Sequence, residues 1–266
     1  MRLIPTVNGL EYLSPQFSPF DQIIGGFFTR KGGVSPAPFS SLNLSIATGD
    51  ELFNVIGNRN RILSAIDKPI CSIFDVWQIH SDRVICTDRP REDGKEPQKA
   101  DAIFTSNPDV TLLMKFADCV PILIYDPEAM VVGIIHAGWQ GTVKEIAKKS
   151  IEEISRAYSC RPENIHAIIG PSIGPDHYEV GENVANLAME VFPLNKEIVG
   201  KREERYYFDL WEANAENLRR AGVTHIYQTR ICTACHTDHW YSHRAEHGKT
   251  GRFAAVIALS KNKRSG

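Results

Sequence analysis

No long hydrophobic run crosses this sequence. Its most apolar stretch, residues 110–135, is interrupted by Lys115, Asp118, Pro121 and the Asp126-Pro127-Glu128 turn, so it is not a membrane-spanning helix. Residues 1–9 have neither an apolar segment nor a small-residue cleavage site, and a cytoplasmic protein is the expectation. Excess charge of either sign is missing too. Thirty Lys and Arg stand against 32 Asp and Glu, a net charge of −2, which gives no general attraction to nucleic acid or to an anionic membrane. Neither is therefore expected as a partner. Cysteines are sparse, six in 266 residues, too few for a disulfide framework; near histidines in a cytosolic chain they suggest metal or catalysis. The G-x-G-x-x-G and G-x4-G-K-[ST] fingerprints are absent. So are internal repeats and heptads, and the oligomeric state is not legible. What is present is ordinary, 42% hydrophobic and 23% charged, which excludes a disordered, collagenous or coiled-coil chain.

The patterned middle carries the fold expectation. Residues 111–116, 120–125 and 131–136 are apolar runs of strand length, separated by Pro and Asp-Pro turns. Apolar on both faces, they fit strands buried inside a layered domain. Strands are also expected at 23–29, 166–170, 225–227 and 253–259, and helices at 52–66 and 184–192. Thr142 and Glu145 read as a capping box opening a helix whose apolar face is Val143, Ile146, Ala147, Ile151, Ile154 and Tyr158. Asp209 and Glu212 read as a second box, for a helix that Gly222 stops. Residues 89–99, charged and containing Pro and Gly, read as a surface loop. Helices and strands do not alternate strictly, which favours a single α+β or layered α/β domain over a doubly wound one.

Three residues stand out chemically: His80 in Gln78-Ile79-His80-Ser81, Cys119 in Ala117-Asp118-Cys119-Val120-Pro121, and His136 in Ile135-His136-Ala137-Gly138-Trp139. Cys119 starts one apolar run and His136 ends the next. If these strands pair antiparallel, both residues lie at one sheet edge. Two imidazoles and a thiolate suit zinc, and three protein ligands leave a fourth position for water or substrate, the catalytic arrangement. Spacing alone also fits a small core thiol and two hydrogen-bonded histidines, because the three form no short-range metal motif. Arg30-Lys31-Gly32-Gly33 has a basic residue ahead of two glycines, a place where backbone N–H groups could approach phosphate or a ribose hydroxyl, or simply a solvated turn.

Other apparent motifs carry less. Gly170-Pro171-Ser172-Ile173-Gly174 matches the nucleophile elbow G-x-S-x-G, but Pro175 opposes the helix that must follow the serine. Cys232-Thr233-Ala234-Cys235-His236 matches a haem-attachment pattern that belongs to exported proteins. A structural zinc on Cys232, Cys235, His236 and His239 is disfavoured, since ligands so crowded fit a tetrahedron poorly.

Taken in order, the segments 26–35, Ser41-Leu42-Asn43-Leu44, Gln78-Ile79-His80-Ser81, Ala100-Asp101-Ala102, 117–122, His136-Ala137-Gly138-Trp139, 170–181, Asp209-Leu210-Trp211, Ser242-His243-Arg244 and Gly251-Arg252-Phe253 resemble the YfiH/YlmD family. It is also called the laccase-domain or purine nucleoside phosphorylase family. The resemblance runs from about residue 25 to residue 259. It implies an α+β fold over residues 1–266, a single α/β/β/α layered domain with mixed sheets, related to cysteine hydrolases of the toxin-deamidase type. It implies that His80, Cys119 and His136 hold a catalytic zinc, and that Arg30, Asn43 and Arg244 contact substrate. The implied reactions are phosphorolysis of adenosine, inosine, guanosine and methylthioadenosine, and deamination of adenosine at the same site. Purine nucleosides and phosphate are then the small-molecule partners. Asp118, His243 and Asp101 stand as candidate proton donors by their place in the motifs. The family is also linked to peptidoglycan editing, which would suit a metal-free Cys–His amide hydrolase acting on muramyl peptides. Multicopper oxidation is disfavoured, since the chain has no paired H-x-H motif. This sequence departs from the family pattern at Gln140, where Arg is usual, and at Ser172 and Asp176, where Cys is common.

Overall fold

A computed structural model describes residues 1–261. Its strands form three sheets. The first contains β1 (Arg2–Pro5), β2 (Glu11–Ser14), β3 (Ile23–Phe28), β15 (Phe253–Leu259), β7 (Thr111–Phe116) and β4 (Ile73–Asp75), side by side in that order. All neighbours are antiparallel except β4 and β7. The second sheet runs β14 (His225–Gln228), β10 (His166–Ile169), β8 (Val120–Asp126), β9 (Val131–Ala137), β6 (Ala102–Thr105) and β5 (Val84–Cys86). Its outer pairs are parallel and its inner ones antiparallel. A small antiparallel sheet joins β11 (Glu179–Val180), β13 (Arg205–Phe208) and β12 (Val199–Arg202). The expectation of mixed sheets is met.

Strand propensity and burial agree in the two large sheets. Every residue of β8, β9 and β15 is buried, as the continuous apolar runs require of strands covered on both faces. Alternate side chains divide the apolar residues into separate clusters. One draws Leu112, Met114, Phe116 and Ile257 from the first sheet and Leu123, Tyr125, Val132 and Ile134 from the second. Another takes the opposite side chains of the second sheet, Ile122, Ile124 and Ile135, against Ile146, Ile151, Ile154 and Leu218. A third sets Phe28, Leu113 and Val256 of the first sheet against Ile62 and Leu63. Those last two belong to α1 (Leu52–Ala65), a helix at the expected place.

One expected start is wrong. Thr142 lies inside a short helix, α2 (Trp139–Val143), and its hydroxyl donates to the Gly138 carbonyl oxygen at 2.9 Å. Glu145 then adopts a left-handed conformation, φ 58°, and α3 (Ile146–Tyr158) begins after it. A capping box needs an extended N-cap residue, and Thr142 is already helical. The second box behaves as read in its N-cap: Asp209 caps α5 (Leu210–Arg220), its Oδ1 accepting the Glu212 N–H at 2.9 Å. The remaining helix is α4 (Glu182–Val191). Residues 89–99 carry no helix or strand, but Arg91 anchors them: its Nε lies 2.6 Å from Oδ1 of Asp75, a buried carboxylate that Arg59 also reaches at 3.0 Å. Among the described residues no helix is long and apolar enough to cross a membrane.

Candidate active site

The site begins with strand register. β8 and β9 form an antiparallel hairpin in which Val120 faces Ala137 and Pro121 faces His136. Cys119, just before β8, and His136, near the end of β9, therefore meet at one edge of the second sheet, as the reading of the hairpin anticipates. His80 arrives from the loop between β4 and β5. Its φ of 57° and that of Asp118, 80°, are left-handed, an unusual state for side chains of this size and one found where surrounding structure fixes a site.

A single carboxylate arranges both histidines. Asp101, fully buried ahead of β6, accepts N–H bonds from Ile79 at 3.2 Å, His80 at 3.0 Å and Ser81 at 2.7 Å, and the Ser81 hydroxyl at 2.7 Å. These bonds shape the turn that presents His80. The same carboxylate lies 2.9 Å from Nδ1 of His136. A carboxylate can only accept, so Nδ1 carries the proton and Nε2 remains the free donor atom. Burial opposes the charge on Asp101, but the His136 contact and the Ser81 bonds outweigh it and hold its carboxyl at about 2. Asp101 is thus an orienting carboxylate at neutral pH and not the proton donor its motif position allowed.

The donor atoms of His80, Cys119 and His136 all lie within 4.8 Å of one another, with Cys119 Sγ 3.8 Å from Nε2 of His80. Tetrahedral zinc bonds of the usual lengths put sulfur and nitrogen ligands about 3.6 Å apart, so the donor set fits such an ion. Burial alone would keep the thiol protonated, but His136 and His80 bring Cys119 down to about 6. Burial would likewise keep His136 neutral, yet Cys119 and Asp101 raise it to about 9. Without a cation, the two shifts pair a Cys119 thiolate with a protonated His136, and a bound cation would take the place of that proton. Gly138 permits the close approach: a Cβ there would lie 2.9 Å from Cys119 Sγ and 3.0 Å from Cδ2 of His80.

The cluster opens into a cleft of about 410 Å³, lined also by Lys115, Tyr178, His243, Arg244 and Arg252. Trp77, 58% exposed, stands at its wall. Burial, with Arg59 nearby, pushes the Lys115 ammonium below the usual lysine range. Of the three residues that the family resemblance makes substrate contacts, only Arg244 lines this cleft. Arg30 sits elsewhere and is engaged within the protein: Nη1 donates to the Thr237 carbonyl at 2.8 Å and to Glu246 at 3.0 Å, Nε donates to Ser40, and the guanidinium lies over Tyr241 at 4.3 Å. Asn43 is buried, and its amide donates to Ser45, Thr48 and Asp50 while its oxygen accepts the N–H of Ser45 and of Arg252. Asn43 reaches the cleft only by holding the backbone of Arg252 and Ser45.

Arg252, Lys115 and Trp77 line the cleft without standing out in the sequence as candidate contacts. Gly251-Arg252-Phe253 was a matched segment, so the signal existed for Arg252; Lys115 and Trp77 were hidden inside a strand and a motif flank. Ser172 is no nucleophile: it is buried, accepts the Trp211 indole N–H at 2.6 Å, and no helix follows it. Cys232 and Cys235 do converge with a histidine, but it is His177 and not His236 or His239. Sequence crowding around the C-x-x-C pair misjudged this cluster, because its third member comes from 55 residues upstream of Cys232.

The chain matches the family model for "Multi-copper polyphenol oxidoreductase laccase" over residues 24–260. It is 34% identical over 250 residues to "Purine nucleoside phosphorylase YlmD" of Bacillus subtilis, covering 90% of each chain. It is 37% identical over 235 residues to a purine nucleoside phosphorylase of Deinococcus radiodurans, covering 88% of each. The crystal structure of YlmD from Geobacillus stearothermophilus superposes with a TM-score of 0.87 at 31% identity, over 97% of this chain and 100% of that one. With the ordered motifs, the fold and these relatives in agreement, the chain belongs to the YfiH/YlmD family, whose curated relatives are purine nucleoside phosphorylases.

Proposed function

We propose that this protein is a zinc-dependent purine nucleoside phosphorylase that accepts adenosine, inosine, guanosine and methylthioadenosine, and that it deaminates adenosine at the same site. The observation that carries this reading is the meeting of a His2Cys donor set with three cationic side chains, Lys115, Arg244 and Arg252, in one cleft. His80, Cys119 and His136 would hold the metal, with Asp101 orienting the His136 imidazole and holding the backbone turn that presents His80. Bound zinc supplies Lewis acidity at the cleft floor. The two guanidinium groups and the ammonium attract and orient phosphate by charge-assisted hydrogen bonds. Trp77 and Tyr178 offer aromatic faces for a purine. Asp118 is committed, its carboxylate accepting the Thr233 hydroxyl and the Arg244 N–H at 2.7 Å each. His243 is then the imidazole in the cleft placed to protonate the departing base.

One observation favours a second reading. Without metal, the charges on Cys119 and His136, with Asp101 behind the imidazole, form the acid–base arrangement of a Cys–His amide hydrolase, the alternative acting on muramyl peptides. Product chromatography separates the two. Zinc-loaded protein given adenosine should release adenine and ribose 1-phosphate only with phosphate, and inosine without it, and Cys119→Ala should lose both. Cleavage of a muramyl peptide by metal-free protein, with no nucleoside turnover by the zinc form, would reverse the choice.

A further inference from the structure

The chain places a second set of soft donor atoms beside the cleft. Cys232 and Cys235 lie on the loop after β14, and His177 lies in the turn after β10. Their donor atoms are all within 4.8 Å of one another. Nδ1 of His177 is 3.8 Å from Cys232 Sγ and 3.6 Å from Cys235 Sγ. These are the sulfur–nitrogen separations of a tetrahedral zinc site, about 3.6 Å from standard bond lengths. Both thiols are free, so the pair is available as ligands.

The backbone builds the cluster deliberately tight. Residues 172 and 232 form a parallel bridge, with Ser172 N–H donating to Ile231 at 3.1 Å and Thr233 N–H donating to Ser172 at 3.0 Å. The turn is closed by the N–H groups of His177 and Tyr178, both donating to Gly174 at 3.0 and 3.1 Å. The Gly174 N–H points at Cys232 Sγ, 3.2 Å away, a bond that strengthens when the sulfur is a thiolate. A side chain at 174 would collide with Asp176 Oδ1 and crowd Cys232 Cβ. Asp176 Oδ1 is also 3.1 Å from Nδ1 of His177.

We infer that His177, Cys232 and Cys235 form a second, structural zinc site that staples the 174–178 turn, whose Tyr178 lines the cleft, to the 232–235 loop. Soft thiolates with imidazole select zinc among common divalent ions. Binding releases the thiol protons and leaves a neutral imidazole as ligand. The staple would hold groups that face the first cluster. Arg244 Nη1 donates to the carbonyl oxygens of Glu179 at 3.0 Å and His177 at 3.5 Å, with its guanidinium over Tyr178. Thr233, between the two cysteines, donates to Asp118. Fixing the 174–178 turn to the 232–235 loop therefore fixes Tyr178, Arg244 and Asp118 together. This site stands or falls independently of the reaction assigned to His80, Cys119 and His136.

The test counts zinc in protein reconstituted with zinc salt alone and dialysed. Wild type should retain two equivalents, Cys235→Ala one and Cys119→Ala one; a double variant should retain none. Cys235 is exposed, so its replacement is expected to fold. Cobalt provides a second readout: Cys119→Ala should still show a thiolate-to-cobalt charge-transfer band, and adding Cys235→Ala should abolish it. Equal zinc content in wild type and Cys235→Ala would overturn the inference. So would an intact mass showing Cys232 and Cys235 joined as a disulfide in the protein as purified.

Discussion

At the residue scale, Asp101 does the most with the least exposure. It bonds the turn that presents His80 and orients His136, so its loss should disturb both histidines without emptying the core. Carboxylates behind metal-bound histidines typically contribute 10- to 100-fold in affinity. Asp101→Asn is expected to weaken zinc binding at the His80 cluster by about that factor, measured by competition with a chelator in the Cys235→Ala background. Unchanged affinity would mean that Asp101 merely folds the loop. Its charge also has a signature in acid. The folded-state value, about 2, lies below the ordinary 3.8, so its stabilisation is present above about pH 4 and disappears as pH falls toward 2. That contribution is about 2 kcal/mol. Urea unfolding of metal-free protein should therefore lose about 2 kcal/mol more in wild type than in Asp101→Asn across this window. Parallel curves would contradict the assignment. The cluster of His80, Cys119 and His136 is legible in the sequence, since the three sit in separate ordered motifs. Arg30 shows the limit: a basic residue before two glycines looks like an anion site, but nothing nearby in sequence announces Glu246, which claims the guanidinium.

At the element scale, the β8–β9 hairpin turns a sequence distance of seventeen residues into one sheet edge, from Cys119 to His136. Its apolar runs and Asp-Pro turn made both strands and their antiparallel pairing legible. Short strands with few residues, such as β4 and β5, were missed because three residues leave no period to read. The false capping box at Thr142 has a similar origin. A local motif was present, but the tight connection from β9 had already started a helix, and tertiary geometry overrode it. Packing between the hairpin and β6 yields a further expectation. Gly133 of β9 faces Phe104 of β6, and a Cβ at 133 would overlap the Phe104 ring. Gly133→Ala should destabilise the protein by about 1–3 kcal/mol through overpacking, seen as a lower urea midpoint with an unchanged slope. A midpoint equal to wild type would show that the ring moves aside freely.

At the scale of the whole molecule, the cleft is assembled from distant segments: Ser45, Trp77, Lys115, Cys119, Tyr178, Arg244 and Arg252 all line it. No local pattern predicts such a gathering, which is why the cationic wall emerged only in three dimensions while the ordered motifs had already identified the family. The two sheets face each other across one apolar cluster; β7 carries Lys115, the β8–β9 hairpin carries Cys119 and His136, and the loop between β4 and β5 adds His80. The family-model description points to copper oxidation, but the cleft offers one sulfur and three imidazoles beside three cations, a composition suited to the proposed phosphate and nucleoside. Phosphate-dependent cleavage by a zinc-loaded His80–Cys119–His136 centre is the activity proposed. It is tested most directly by measuring hypoxanthine release from inosine by zinc-reconstituted protein as phosphate is titrated, with Cys119→Ala alongside. Release should rise from zero to saturation with phosphate and fall by about 100-fold or more in the variant. Release that ignores phosphate, or that survives the loss of Cys119, would contradict it.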